Sequence, residues 1–219
     1  NGADIFFTYW HAYDQKTYSE NTNDIDAITT ELEQFGGKVR SKEVDLADSQ
    51  SAEDLFRAVE IELGAPAILI NNACHDFEIP FAELTSEILN KHYEVNVRAV
   101  TMLIREFVKR EKPGHIISMT SGQSLGSMGG HKIPYTITKA ALEMLAPQLA
   151  PELNKLGISI NSLDPGPIDT GWMTDEIREM VLKHSKKGSL TTTEDIGKLI
   201  VEILTGNKYQ TGEVIHAER

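Results

Sequence analysis

Ser121, Tyr135 and Lys139 are the residues whose types and spacing can do chemistry. Tyr135 and Lys139 stand four apart, and on a helix that puts them on one face. An ammonium beside a phenol favours the phenolate and lowers a tyrosine pKa from its usual value near ~10. A tyrosine tuned in that way can give or take a proton at neutral pH. A hydroxyl from Ser121, between an apolar run and a glycine-rich loop, can orient a carbonyl oxygen. The three together suit interconversion of a carbonyl and an alcohol, with the hydride coming from a cofactor. Taken alone, a Tyr and a Lys four apart are more often a solvated helix face.

These groups need elements to position them. Short apolar, β-branched runs alternate with longer amphipathic segments along the chain. Residues 4–9 (DIFFTY), 38–44, 67–71 (AILIN), 115–120 (HIISMT), 158–163 and 213–216 read as strands. Residues 24–35, with Asp24 as N-cap, 49–63, 85–109, 135–155 and 193–204 read as helices, and 173–183 as a short amphipathic segment. Leu55, Val59 and Leu63 define the apolar face of the second of these helices. The run 67–71 is apolar throughout, as a strand buried on both faces would be. Glycine-rich 122–130 and turn-rich 164–171 (DPGPIDTG) are loops. Regular strand–helix alternation predicts an α/β fold, a Rossmann-type doubly wound, mostly parallel sheet in a single domain. Pro147 inside the helix of Tyr135 predicts a kink over 142–147.

The order of motifs resembles the short-chain dehydrogenase/reductase family. Asn71-Asn72-Ala73 follows an apolar strand, Asn96-Val97 lies mid-helix, and Thr120-Ser121 ends the next strand. Tyr135 and Lys139 come next, and then Asp164-Pro165-Gly166. The resemblance runs over essentially the whole chain. It is nearest to bacterial members named 3-oxoacyl-acyl-carrier-protein reductases. It implies an NAD(P)(H)-dependent oxidoreductase whose catalytic set is Asn96, Ser121, Tyr135 and Lys139. Tyr135 would be the general acid in reduction and the base in oxidation, and Ser121 would hold the substrate oxygen. Lys139 would lower the tyrosine pKa and bind the nicotinamide ribose, while Asn96 would keep a water linking Lys139 to solvent. The cofactor would be bound by Tyr9, Asp45, Leu46, Asn72, Ala73, Tyr135, Lys139, Pro165, Gly166, Ile168 and Thr170. Without the resemblance, Asp45 is a loop cap, Asn96 a surface helix residue and Pro165-Gly166 a turn. His75, Asp76 and His131 read as loop residues.

Several features depart from the family pattern. Ser121 and Tyr135 are one residue further apart than is usual there. Cys74 stands where many members have glycine. No strand, glycine-rich turn and helix open the chain to hold a pyrophosphate. The expectation is therefore a sheet split between the strands at 4–9 and 67–71, with a leading βα unit of roughly 30 residues absent from this sequence. Such a chain should bind NADP(H) poorly and tend to aggregate when made alone. Where NAD enzymes place an acid on the second strand of the fold, this chain has Tyr9, so NADP(H) is expected over NAD(H).

Composition narrows the function classes. Asp and Glu number 33 against 21 Lys and Arg, a formal charge of −12 over 219 residues. That surface repels phosphate backbones, so neither nucleic acid nor an anionic membrane is an expected partner. No apolar run reaches the length of a membrane span. The one cysteine, Cys74, allows no intrachain disulfide, and the expected location is cytoplasmic. The scattered histidines suggest no metal site. The expected partner is a small-molecule or acyl-carrier-bound carbonyl substrate. Apolar surface on helices 85–109 and 135–155 further predicts a homo-oligomer, tetramer or dimer. The alternative to an enzyme is a catalytically silent binding or scaffold protein of the same fold.

Overall fold

The computed structural model describes residues 2–17, 24–122, 130–170, 173–185, 188–206 and 208–217. They form two compact units. One comprises Asn1–Pro66 with Thr101–Arg110, and the other Ala67–Val100 with Glu111–Arg219.

In the first unit β1 (Ile5–Tyr9) pairs in parallel with β2 (Val39–Glu43), in a register that sets Ile5 beside Val39 and Tyr9 beside Glu43. Between them lie α1 (His11–Thr17) and α2 (Ile25–Glu33). The sequence reading omits α1, because HAYDQKT carries no apolar period; its first N–H, on His11, is taken by the Glu43 carboxylate at 3.0 Å. Asp24 caps α2 as expected, accepting from the Asp26 and Ala27 N–H groups, a contribution of about 1 kcal/mol. The helix α3 (Ser51–Glu62) buries Ser51, Ala52 and Phe56. Leu55, Val59 and Leu63, the expected face, are only half-buried. Phe56 sets the orientation instead, because it packs edge-on against Phe107 of α5 (Val100–Val108) and lies under the Arg110 guanidinium.

In the second unit β3 (Ile68–Asn71), β4 (Gly114–Met119), β5 (Ile158–Asp164) and β6 (Val214–His216) make a parallel sheet in that order. Ile117, Met119, Leu163 and Ile215 turn one face toward Ile196 and Ile203 of α8 (Thr193–Thr205). The helix α6 (Ile133–Leu153) packs against β5 and buries Leu142 and Ala146, each 1% exposed. There the Ser162 hydroxyl donates to the Leu142 carbonyl at 3.2 Å. A parallel sheet with helices over it, in α/β order, is the predicted class.

Three expectations are corrected. First, β3 is not buried on both sides: Ile68 and Ile70 are 44% and 42% exposed. It pairs only with β4 among the described residues, and the strands form two separate sheets, β1-β2 and β3-β4-β5-β6. Second, the helix over 85–109 is not uniform. Thr85 caps α4 (Ser86–Tyr93), a π-helical turn follows at Glu94–Ala99, and α5 continues. Third, α6 begins at Ile133, with Pro134 in its first turn, where the missing N–H costs nothing. Helical backbone then runs through both Pro147 and Pro151.

Two further caps frame the C-terminal segment. Thr174 starts α7 (Asp175–His184), and Thr192 with Asp195 forms a reciprocal capping box at α8. Among the described residues no helix is long and apolar enough to cross a membrane.

Candidate active site

All four residues of the expected catalytic set lie in the second unit. Tyr135 and Lys139 project from the first two turns of α6, Ser121 follows β4, and Asn96 sits in the π-helical turn. Ser121 hydrogen-bonds to the Tyr135 phenol. Lys139, only 3% exposed, donates from Nζ to the Met119 carbonyl at 2.8 Å, and its ammonium stands 5.7 Å from the Tyr135 ring centre.

Asn96 is not the surface residue that its position alone suggests. It is 1% exposed. Its Oδ1 accepts the His75 N–H at 2.6 Å, and its Nδ2 donates to the His75 carbonyl at 2.9 Å and to Thr138 Oγ1 at 3.0 Å. The amide thus ties the 72–80 loop to α6 one residue from Lys139. A π-turn is a common device for aiming one side chain out of helical register.

The electrostatics differ from the sequence expectation on one point. Tyr135 has its pKa raised, not lowered. Burial of the phenol is the main cause, the charges of Cys74, Asp76 and Asp164 add to it, and only the Ser121 hydrogen bond opposes it. Lys139 is itself pushed down by burial, against the fields of Cys74 and Asp76. Desolvation dominates because the phenol, unlike an exposed tyrosine, would ionise away from water. Tyr135 therefore keeps its proton at neutral pH.

The loop after β5 carries Pro165, Gly166, Ile168 and Thr170. Asp164, 6% exposed, accepts the Gly166 N–H on Oδ1 at 3.0 Å and meets His216 Nδ1 on Oδ2 at 2.9 Å. Gly166 has φ +70°, a conformation that favours glycine. A Cβ at Gly122 would come within 2.7 Å of Asp164 Oδ2, so glycine there lets Ser121 and the carboxylate approach. Ile168 bridges to Thr191. Arg178 of α7 holds Asp169 at 2.6 Å, which ties α7 to this loop. Much of the glycine-rich loop (123–129) and parts of the expected lid (171–172, 186–187) lie outside the described residues.

Asn72 and Ala73 follow β3 and are exposed. The buried asparagine is Asn71, whose Nδ2 donates to Ser118 Oγ at 3.2 Å. Its Oδ1, and Oγ1 of Thr120, are buried with no hydrogen-bond partner among the described residues. Each such atom costs about 1–3 kcal/mol. Both lie at the carboxyl ends of adjacent parallel strands, where doubly wound sheets take their ligands. These residues fit a polar cofactor. In the first unit, Tyr9 ends β1 with its ring 4.9 Å from that of His11, and Asp45 accepts the Ala47 N–H at 2.8 Å in a local turn, beside a half-buried Leu46. Among the described residues no group of His, Cys, Asp and Glu could hold a metal ion.

Sequence reasoning missed three contributors. Thr138 receives Asn96, and His92 and the Asp76–Lys132 pair hold the 72–80 loop. Only tertiary contacts single them out.

A family profile described as Enoyl-(Acyl carrier protein) reductase matches residues 1–219. The chain belongs to the short-chain dehydrogenase/reductase family. It is 35% identical to the uncharacterized oxidoreductase YjdA of Bacillus subtilis (strain 168), over 99% of this chain and 85% of the relative. It is 28% identical to L-xylulose reductase of Mesocricetus auratus, over 88% of this chain and 79% of that one. The identity to 3-oxoacyl-acyl-carrier-protein reductase of Escherichia coli (strain K12) is 27%, over 83% and 77%. A short-chain dehydrogenase/reductase from Serratia marcescens superposes with TM-score 0.84 at 25% identity, covering 98% of this chain and 86% of that one. A blue fluorescent protein from a metagenomic library, in complex with NADPH, gives TM-score 0.83 at 26% identity over the same shares. As a member of this family of reductases, the chain is an NAD(P)-dependent oxidoreductase.

Proposed function

We propose that the chain reduces a ketone or aldehyde to an alcohol with NADPH. The observation that carries this reading is the Ser121 hydroxyl bonded to a buried, protonated Tyr135 phenol. The pair offers two O–H groups around one position, where a carbonyl oxygen can accept from both. The cofactor, when bound, supplies the hydride. Tyr135 gives its proton to the oxygen as charge develops there, and Ser121 holds that oxygen in place. Lys139, desolvated beside the ring, stabilises the phenolate left behind. Asn96 and its bonds to His75 and Thr138 keep the wall of the site in position.

The reading assigns cofactor contacts to Tyr9, Asp45, Leu46, Asn72, Ala73, Pro165, Gly166, Ile168 and Thr170, together with Tyr135 and Lys139. Preference for NADP(H) over NAD(H) is supported by Tyr9 standing where an acid would bind a ribose diol. The similar protein in complex with NADPH supports it too. The substrate is a small-molecule or carrier-borne carbonyl, and the relatives named L-xylulose reductase and 3-oxoacyl-acyl-carrier-protein reductase bracket that choice. Exposed Tyr93, Ile137 and Met144 on α4 and α6 support a homo-oligomer, tetramer or dimer. A lone cysteine supports a cytoplasmic location.

The test is turnover of a carbonyl panel by the full-length protein with NADPH and NADH. Faster oxidation of NADPH is expected. Oxidation of neither cofactor with any carbonyl rejects the reading.

A further inference from the structure

The mechanism leaves one charged cluster beside Tyr135 unused. The loop after β3 folds back on the turn before α6, with the Ile79 N–H donating to the His131 carbonyl at 2.9 Å. This contact sets three charged side chains together. Lys132 Nζ meets Asp76 Oδ2 at 2.6 Å and Glu78 Oε1 at 3.0 Å. The same ammonium lies 5.7 Å from the Tyr135 ring centre. Asp76 is close enough for its charge to act on both Tyr135 and Lys139. Burial alone would lower the Lys132 pKa, but the two carboxylates outweigh it and raise it, so the group stays an ammonium.

The Asp76–Lys132 pair ties the loop to the turn before α6, and Glu78 adds a second carboxylate. The side chains of Lys132, Asp76 and Glu78 are 25%, 31% and 65% exposed. An ion pair as open to water as Lys132–Glu78 contributes about 0–1 kcal/mol. The cluster also makes the site polar. An apolar substrate chain laid against it would strip water from two carboxylates and an ammonium and return nothing. Hydroxyl groups would replace that water, donating to Asp76 and Glu78 and accepting from Lys132. The excess of one negative charge also disfavours an anionic substrate, as does the formal charge of −12 on the whole chain.

We propose that Lys132, held between Asp76 and Glu78 beside Tyr135, determines specificity, and that the substrate is a small, uncharged polyhydroxylated ketone. The inference rests on the carbonyl-reductase reading above and names its substrate class. In the reaction, the hydride of NADPH forms the new C–H bond and the C=O π pair takes the proton of Tyr135. The products are a secondary alcohol and NADP⁺, and solvent restores the phenol proton.

The test compares 1,3,4-trihydroxybutan-2-one with butan-2-one, which shares its carbon skeleton, and with an acetoacetyl thioester. The wild-type kcat/KM should favour the trihydroxy ketone over butan-2-one by about 100-fold, the scale of a hydrogen bond to a charged group. Lys132→Met should cut that ratio at least ~10-fold, mainly through KM, and Lys132→Arg should recover most of it. Circular dichroism checks the fold of each variant. Should Lys132→Met not fold, Glu78→Gln at the more exposed carboxylate should lower the ratio in the same direction. A ratio near one, a thioester turned over best, or a ratio unmoved by these variants overturns the substrate class while leaving the reductase reading intact. Failure of wild-type protein with NADPH bound, seen by cofactor fluorescence, to reduce any of the three overturns both.

Discussion

Tyr135 is a phenol that burial keeps protonated, next to a serine that shares its hydrogen bond. That state suits reduction, which begins with a proton on the enzyme. Replacing Tyr135 by Phe keeps the ring but removes the donor. The expected result is a loss of ~10²–10⁴ in kcat with cofactor binding retained, measured by steady-state kinetics and a fluorescence titration of NADPH. Near-normal turnover would exclude Tyr135 as the proton donor. The raised pKa also fixes a pH dependence. A group whose pKa lies above its ordinary 10.0 stays protonated through neutral and mildly alkaline solution. Carbonyl reduction should therefore show no loss from Tyr135 ionisation below pH 10, whereas alcohol oxidation, which needs the phenolate, should rise with pH throughout that range. An alkaline limb in the reduction profile with a midpoint near 7 would contradict this.

At the scale of elements, the 72–80 loop matters most, because it has no regular structure of its own to hold it. Two buried side chains hold it from one helical stretch. Asn96 in the π-helical turn binds both backbone groups of His75. His92, fully buried in α4, accepts the Phe77 N–H on Nε2 at 3.2 Å and turns Nδ1 to the Ile88 carbonyl at 2.8 Å. That arrangement requires the neutral ring protonated on Nδ1. Burial lowers the His92 pKa from 6.5, against the Ile88 carbonyl and the Asp76 charge. The unfolded chain therefore takes up a proton at higher pH than the folded one. The stability from His92 is complete above about pH 6.5 and declines as pH falls below it. Thermal midpoints of wild type should drop between pH 7 and pH 5 by more than those of His92→Gln. Parallel curves for the two proteins would show that the loop does not depend on this ring. Within α6, Leu142 has the same weight for packing: Leu142→Ala should cost about 2–5 kcal/mol in denaturant unfolding.

For the whole molecule, the exposed apolar residues on α4 and α6 bear on assembly. Tyr93, Ile137 and Met144 are 42%, 38% and 56% exposed. Large apolar groups gathered on neighbouring helices mark an interface more often than a bare surface. Light scattering of the full-length protein at micromolar concentration should report a tetramer or dimer, and Ile137→Lys with Met144→Lys should shift it toward the monomer. A wild-type monomer would remove the oligomer from the proposal.

Much of this protein is legible in its residues alone. Strand–helix alternation gives the α/β class, because period and burial are local properties. The positions of Tyr135 and Lys139 suggest the proposed chemistry, because a spacing of four on a helix sets one face. Asp24 and Thr85 mark helix starts, because a side-chain cap reads only the next three residues. Other features depend on what lies across the fold. Ile68 and Ile70 look buried in sequence and are exposed, since burial of a strand is decided by its neighbours. Leu55 and Val59 yield to Phe56, since the partner ring is 51 residues away at Phe107. The sign of the Tyr135 shift reverses because desolvation is a property of the surrounding volume, which Lys139 alone does not convey. Asp76 and Lys132, 56 residues apart, meet only when the loop after β3 closes on the turn before α6, and no local pattern encodes a contact of that span.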